Sequence, residues 1–115
     1  MFDSLKSLSQ LPQLMAKAQK LQEQMKNMQE ELGSRRVSAD AGGGRVVATV
    51  NGRMELIEIR IDRERMDLVN VEMLQDLTVA AVRGAQFKAA EIVQQEMARL
   101  QAESGISPDM IPKLG

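Results

Sequence analysis

The 115-residue chain contains no histidine, cysteine, tryptophan or tyrosine, and only two phenylalanines. Each absence removes a class of chemistry. Without cysteine there is neither a disulfide framework nor thiol chemistry. Proton transfer near neutral pH leans on histidine, and covalent catalysis on cysteine, histidine-activated serine or lysine. A zinc site would have to be built from carboxylates alone, which suit zinc poorly. The carboxylates that are present lie scattered among basic residues rather than paired for acid–base work. The expectation is a protein that is not an enzyme, with no catalytic residue, no metal, no cofactor and no small-molecule substrate. The shortage of aromatics also argues against recognising RNA or single strands by stacking bases, since Phe2 lies near the terminus and Phe87 in a helical pattern.

Long apolar runs are missing too. Nothing approaches the roughly 18 residues of a membrane span, so no membrane partner is expected. The first residues lack the basic-then-apolar layout of a secretory signal, which makes a cytoplasmic location the expectation. The length suits a single domain, 1–115, with a modest core, and residues 1–10 and 104–115 are expected to be mobile tails. Net charge is −1, which supplies no bulk attraction to nucleic acid. Its distribution is uneven. Residues 33–53 hold four Arg against one Asp, whereas residues 54–82 hold three Arg against seven carboxylates. Any binding to DNA must therefore come from a local patch, presented by two or more chains together.

What is present has clear periods. Leu11, Leu14, Ala18, Leu21, Met25, Met28 and Leu32 recur at spacings of 3, 4, 3, 4, 3 and 4, an unbroken heptad seam on a long helix. Pro12 suits the first turn of that helix and Gly33 its C-terminal stop. The seam either packs on the chain's own second helix or sheet, or is shared with a second subunit; its period fits both. From Arg35 the period becomes two. Val37, Ala39 and Ala41, then Val46, Ala48 and Val50, then Ile57, Ile59 and Ile61 alternate with mostly polar neighbours. This predicts a three-stranded antiparallel meander with one buried and one wetter face. Gly42-Gly43-Gly44 supplies the first turn, and Asn51-Gly52 predicts a type I′ hairpin. Such a small sheet has two open edges, a liability that pairing across a dimer would remove.

Asn70 or Asp67 caps a second long helix, from Val71 to about Ala102. Its main apolar face is Leu74, Leu77, Ala81, Ala85, Ala89 and Ile92, with Ala80, Gly84 and Phe87 on the far side. Gly84 costs about 1 kcal/mol against Ala inside a helix, so a close contact is expected there. A helix, a meander and a helix make one α+β unit.

The triple glycine is not a phosphate loop, because it leads into a strand rather than a helix and no Gly-Lys-Ser/Thr follows. The better candidate for anion contact lies on the first helix. Gln13, Lys17, Lys20, Gln24 and Asn27 recur at spacings of 4, 3, 4 and 3 on one polar face. Lysine supplies charge for phosphate oxygens, and Gln and Asn hydrogen-bond phosphate or sugar. An ordinary solvated helix face has the same composition. Arg35 and Arg36 follow at the helix end, with Lys88 further along the second helix.

The run from Ala41-Gly42-Gly43-Gly44-Arg45 through Asp62, followed by Glu72-Met73-Leu74-Gln75-Asp76-Leu77-Thr78-Val79-Ala80-Ala81-Val82, resembles the YbaB/EbfC family of small bacterial nucleoid-associated proteins. The resemblance spans nearly the whole chain. It implies an α+β homodimer whose protruding helices form a tweezer-like shape, binding duplex DNA through those arms with limited sequence preference. By that resemblance Lys17, Lys20 and Gln24 are arm contacts, and the later part of the second helix is a secondary candidate. The chain departs from the pattern at Val82-Arg83-Gly84-Ala85, where relatives often carry an Asn-Asp-Ala-like stretch. The expected function is duplex binding in the nucleoid through phosphate contacts, with Lys17, Lys20, Gln24, Asn27, Arg35, Arg36 and Lys88 as the candidate residues. A protein-interaction or chaperone-like assembly module using the same helical arms is the alternative.

Overall fold

The computed structural model describes residues 2–104, with side chains described from Leu8 to Glu103. In chain order the elements are α1 (Phe2–Ser34), β1 (Arg36–Ala41), β2 (Val46–Asn51), β3 (Leu56–Ile61) and α2 (Val71–Ser104). The α+β order expected from the periods is the one found. Residues 105–115 of the expected C-terminal tail lie outside the described residues.

The three strands form an antiparallel sheet in the order β1-β2-β3, with Ala39 opposite Ala48 and Ala48 opposite Ile59. Val37, Ala39, Val46, Ala48 and Val50 point to one face and are buried there under Ala81, Ala85 and Ala89 of α2. Alanine on both surfaces lets helix and sheet approach closely. At Gly84 an added Cβ would sit 3.1 Å from the Ala39 Cβ. Gly84 therefore flanks the sheet, and only Ala80 and Phe87 of the expected far-side group are exposed. The close contact expected at Gly84 comes from the chain's own β1.

β3 departs from expectation. Ile57 and Ile59 carry the inward parity, yet they remain 47% and 37% exposed, because α2 lies across β1 and β2 and leaves β3 uncovered. The β2–β3 register also slips between Thr49 and Val50, so that Leu56 and Ile57 share one partner position.

Two other local expectations are corrected. α1 begins at Phe2, so Pro12 sits inside the helix rather than in its first turn. The Asn51-Gly52 pair does not form a two-residue I′ turn. β2 ends at Asn51 and β3 starts at Leu56, with Met54 N–H donating to Asn51 O at 3.0 Å and Met54 taking the positive φ of 66°. Gly52 is used for proximity instead. Its N–H donates to Leu32 O at 2.7 Å, and an added Cβ would meet the Leu32 backbone at 2.7 Å. The hairpin is thus latched to the C-terminus of α1. The first turn does use glycine's freedom: Gly42, Gly43 and Gly44 all have positive φ. Asn70 Oδ1 accepts from Met73 N–H at 3.1 Å and caps α2, while Asp67 turns the preceding loop through Val69 N–H.

Candidate nucleic-acid interface

α1 and α2 meet only along the C-terminal half of α1. Met28, Leu32 and Leu100 form a small second core with Leu21, Met25, Ile92, Val93 and Met97 around it. Beyond it α1 runs on by itself, which gives the molecule its 77 × 22 × 17 Å dimensions. Lys17 and Lys20 stand on this free arm, both exposed. No carboxylate occurs between Asp3 and Glu23.

The expected face changes character where α2 joins it. Gln24 and Asn27 line the rim of a cleft with Met28, Glu31, Glu96, Arg99, Leu100 and Glu103. Arg99 there is shared between Glu96 (2.7 Å) and Glu103 (3.2 Å). The hydrogen bond and charge of Glu96, with the charge of Glu103, raise the Arg99 pKa above its ordinary value. These acids make the cleft a poor seat for phosphate, so the anion-attracting part of the face is its distal portion.

Arg35, Arg36 and Lys88 belong to the body. Arg35 reaches Glu96 at 3.7 Å and so ties the end of α1 to α2. Arg36 extends to Gly33 O at 3.5 Å, and Lys88 Nζ donates to Ser38 O at 3.2 Å. Lys20 and Arg35 are separated by about 22 Å of helix at 1.5 Å per residue. One chain therefore presents two separate groups of candidates. One is a lysine pair on the arm; the other is a set of body cations partly engaged by the protein itself.

Sequence reasoning missed the Asn51 latch. This buried side chain accepts from the N–H groups of Arg53 (2.9 Å) and Glu55 (3.1 Å) and donates to Glu55 Oε1 (2.9 Å). The Asn-Gly signal was visible, but it is also the signal of an ordinary turn. No buried side-chain nitrogen or oxygen among the described residues lacks a partner, and no three acidic side chains among them gather as a metal site. No described helix is long and apolar enough to cross a membrane.

The chain is a small α+β body that carries a long, lysine-bearing helical arm. Residues 7–104 match the YbaB/EbfC DNA-binding family. Among relatives, a nucleoid-associated protein of Pelotomaculum thermopropionicum is 47% identical over 90 residues, covering 78% of this chain and 86% of its own. One from Syntrophobacter fumaroxidans is 43% identical over 100 residues, covering 87% and 91%. The crystal structure of the uncharacterized protein HP0035 from Helicobacter pylori shares the fold, with a TM-score of 0.67 at 22% identity over 80% of this chain and 94% of that one. The chain belongs to the YbaB/EbfC DNA-binding family.

Proposed function

We propose that this chain is a non-enzymatic, nucleoid-associated protein of the cytoplasm that binds duplex DNA as a homodimer. Lys17 and Lys20 of each arm contact phosphates, and sequence preference is slight. The observation that carries this reading is the stretch of α1 from Ser4 to Gln22, which holds no carboxylate and whose exposed Lys17 and Lys20 project past the body. Phosphate contact places a protein on DNA without reading bases, and these two short-range cations have no fork geometry for base edges. Gln24 and Asn27 at the root of the arm, with Arg35, Arg36 and Lys88 on the body, form a secondary contact set. The dimer is supported by β3, a free edge whose apolar side chains lack cover among the described residues.

The test is fluorescence anisotropy of a labelled duplex of about 30 base pairs across a salt series. Each phosphate contact steepens the log–log salt slope by about 0.9, so two lysines on each of two arms contribute about 3.6. Lys17→Glu with Lys20→Glu should flatten the slope by that amount and weaken binding sharply at low salt. Unchanged binding by the double variant would defeat the site assignment. No binding by the parent at low salt would defeat the function and turn attention to the protein-interaction reading.

A further inference from the structure

The polar stripe of α1 changes sign along its length. Lys17 and Lys20 lie toward the free end, Gln24 and Asn27 in the middle, and Glu31 toward the body, at spacings of 3, 4, 3 and 4. All but the half-buried Gln24 are exposed, and the stripe lies about a quarter turn around the helix from the seam that packs on α2. Among the described residues, Lys17, Lys20 and Glu31 make no ion pair. The two signs are set symmetrically. Lys17 and Glu31 each stand seven residues from Gln24, two turns on the same face and about 10.5 Å of rise.

The acidic end also has the chemistry of a lysine seat. The cleft beside Glu31 is lined by the nearly buried apolar Met28 and Leu100 and by Glu31, Glu96 and Glu103, with Arg99 as its cation. Arg99 is already held by Glu96 and Glu103, and Arg35 by Glu96, which leaves Glu31 to meet an incoming charge. Apolar surface edged by carboxylate suits the methylene stem of a lysine together with its ammonium. The chain's own arm lysines cannot reach it: Lys20 is about 16 Å and Lys17 about 21 Å of rise away from Glu31 along the same rigid helix.

We propose that the arm of a second copy docks antiparallel on this stripe, with Lys17 of each copy facing Glu31 of the other across a two-fold axis at Gln24. A stripe whose charge reverses about its midpoint is complementary to its own reversed copy, so one isologous contact forms both ion pairs. Lys20 then falls opposite the neutral Asn27. Parallel arms would instead set Lys17 against Lys17 and Glu31 against Glu31. The equal spacing selects a second copy over an unrelated basic segment, because cation and carboxylate sit on one helix with one repeat. The contact uses the arm and its cleft, away from β3, and so links dimers rather than building them. Exposed ion pairs contribute little each, which makes the association weak and salt-sensitive.

The test is a charge exchange in the full chain, read by sedimentation without nucleic acid, so it stands whether or not these lysines hold DNA. The variants are Glu31→Lys and Lys17→Glu, both at exposed positions. Each alone sets like charges at the facing positions, whereas an equimolar mixture restores opposite charges at both ends of the contact. At about 50 mM salt the parent's weight-average mass should be at least roughly twice its value at about 500 mM, where the charges are screened. Either variant alone should stay at the high-salt value, and the mixture should regain the parent's low-salt mass. A mixture that sediments like its separate components would overturn the proposal. So would a parent with the same mass at both salts, or a single variant that keeps the parent's low-salt mass. Because every mass is compared with the parent's own high-salt value, failure of the β3 dimer would appear there, as the mass of one chain, and is read separately.

Discussion

Two residues apart in one hairpin, Gly52 and Met54 should respond to substitution in opposite directions. Gly52 is glycine because Leu32's backbone is against it: an added Cβ would sit 2.7 Å from Leu32 O and 2.9 Å from Leu32 Cα. Gly52→Ala must lift the hairpin from the end of α1 and strain the 2.7 Å latch, at an expected loss of about 1–3 kcal/mol in urea denaturation. Met54, by contrast, is an ordinary side chain held at φ 66°, where L-residues are disfavoured by roughly 1–2 kcal/mol. Met54→Gly relieves that strain but loses chain entropy on folding, so the expected gain is up to about 1 kcal/mol by the same measurement. A destabilising Met54→Gly beside a neutral Gly52→Ala would restore the two-residue turn predicted from Asn51-Gly52. The sequence pattern located this turn but not its geometry. The deciding contact is with Leu32, twenty positions before Gly52, and local turn chemistry carries no record of it.

At the level of elements, periodicity was a sound guide to kind and a weaker guide to ends. The heptad spacing announced α1 and the alternation announced β1 to β3, because both periods arise from burial on one face. The start of α1 was misplaced because proline is commonest in a first turn, whereas here the helix continues ten residues upstream of Pro12 to Phe2. The cost of Pro12 in the interior is a missing bond to the Leu8 carbonyl. Pro12→Ala should restore that bond and favour the arm helix by up to about 3 kcal/mol locally. Amides of residues 8–16 should exchange more slowly, with a stronger helical signal at 222 nm. The global denaturation midpoint should barely move, since the body core of Ala81, Ala85, Ala89 and the sheet lies far from Pro12. A large rise in global stability would mean that the arm and body unfold as one unit. The lysine pair on the arm was legible for the same reason as the helix, through spacing. The separation of Arg35, Arg36 and Lys88 from it was not, because only the three-dimensional course of α1 places them on the body.

For the whole molecule, the inward parity of β3 was legible in sequence, but the cover it implied is not supplied by the described residues. α2 seals β1 and β2 with Ala81, Ala85 and Ala89, while Ile57 and Ile59 stay half open on the same face. β1, the other edge strand, exposes Arg36, Ser38 and Asp40 instead, side chains that protect an edge from adhesion. The proposed homodimer would place its second copy over the exposed Ile57 and Ile59 of β3. Ile57→Lys with Ile59→Lys should leave the monomer folded, since its own core uses neither residue as a buried member. The expected result in sedimentation is a change from twice the chain mass to the 12.7 kDa of one chain. With one arm instead of two on the duplex, the salt slope of DNA binding should fall by about 1.8, half the contribution assigned to the lysine pairs. A variant that keeps the dimer mass would move the interface elsewhere, with exposed Phe87 and Val79 of α2 as the next surface to substitute. A variant that becomes monomeric yet keeps the full salt slope would show that the two arms do not act together on DNA.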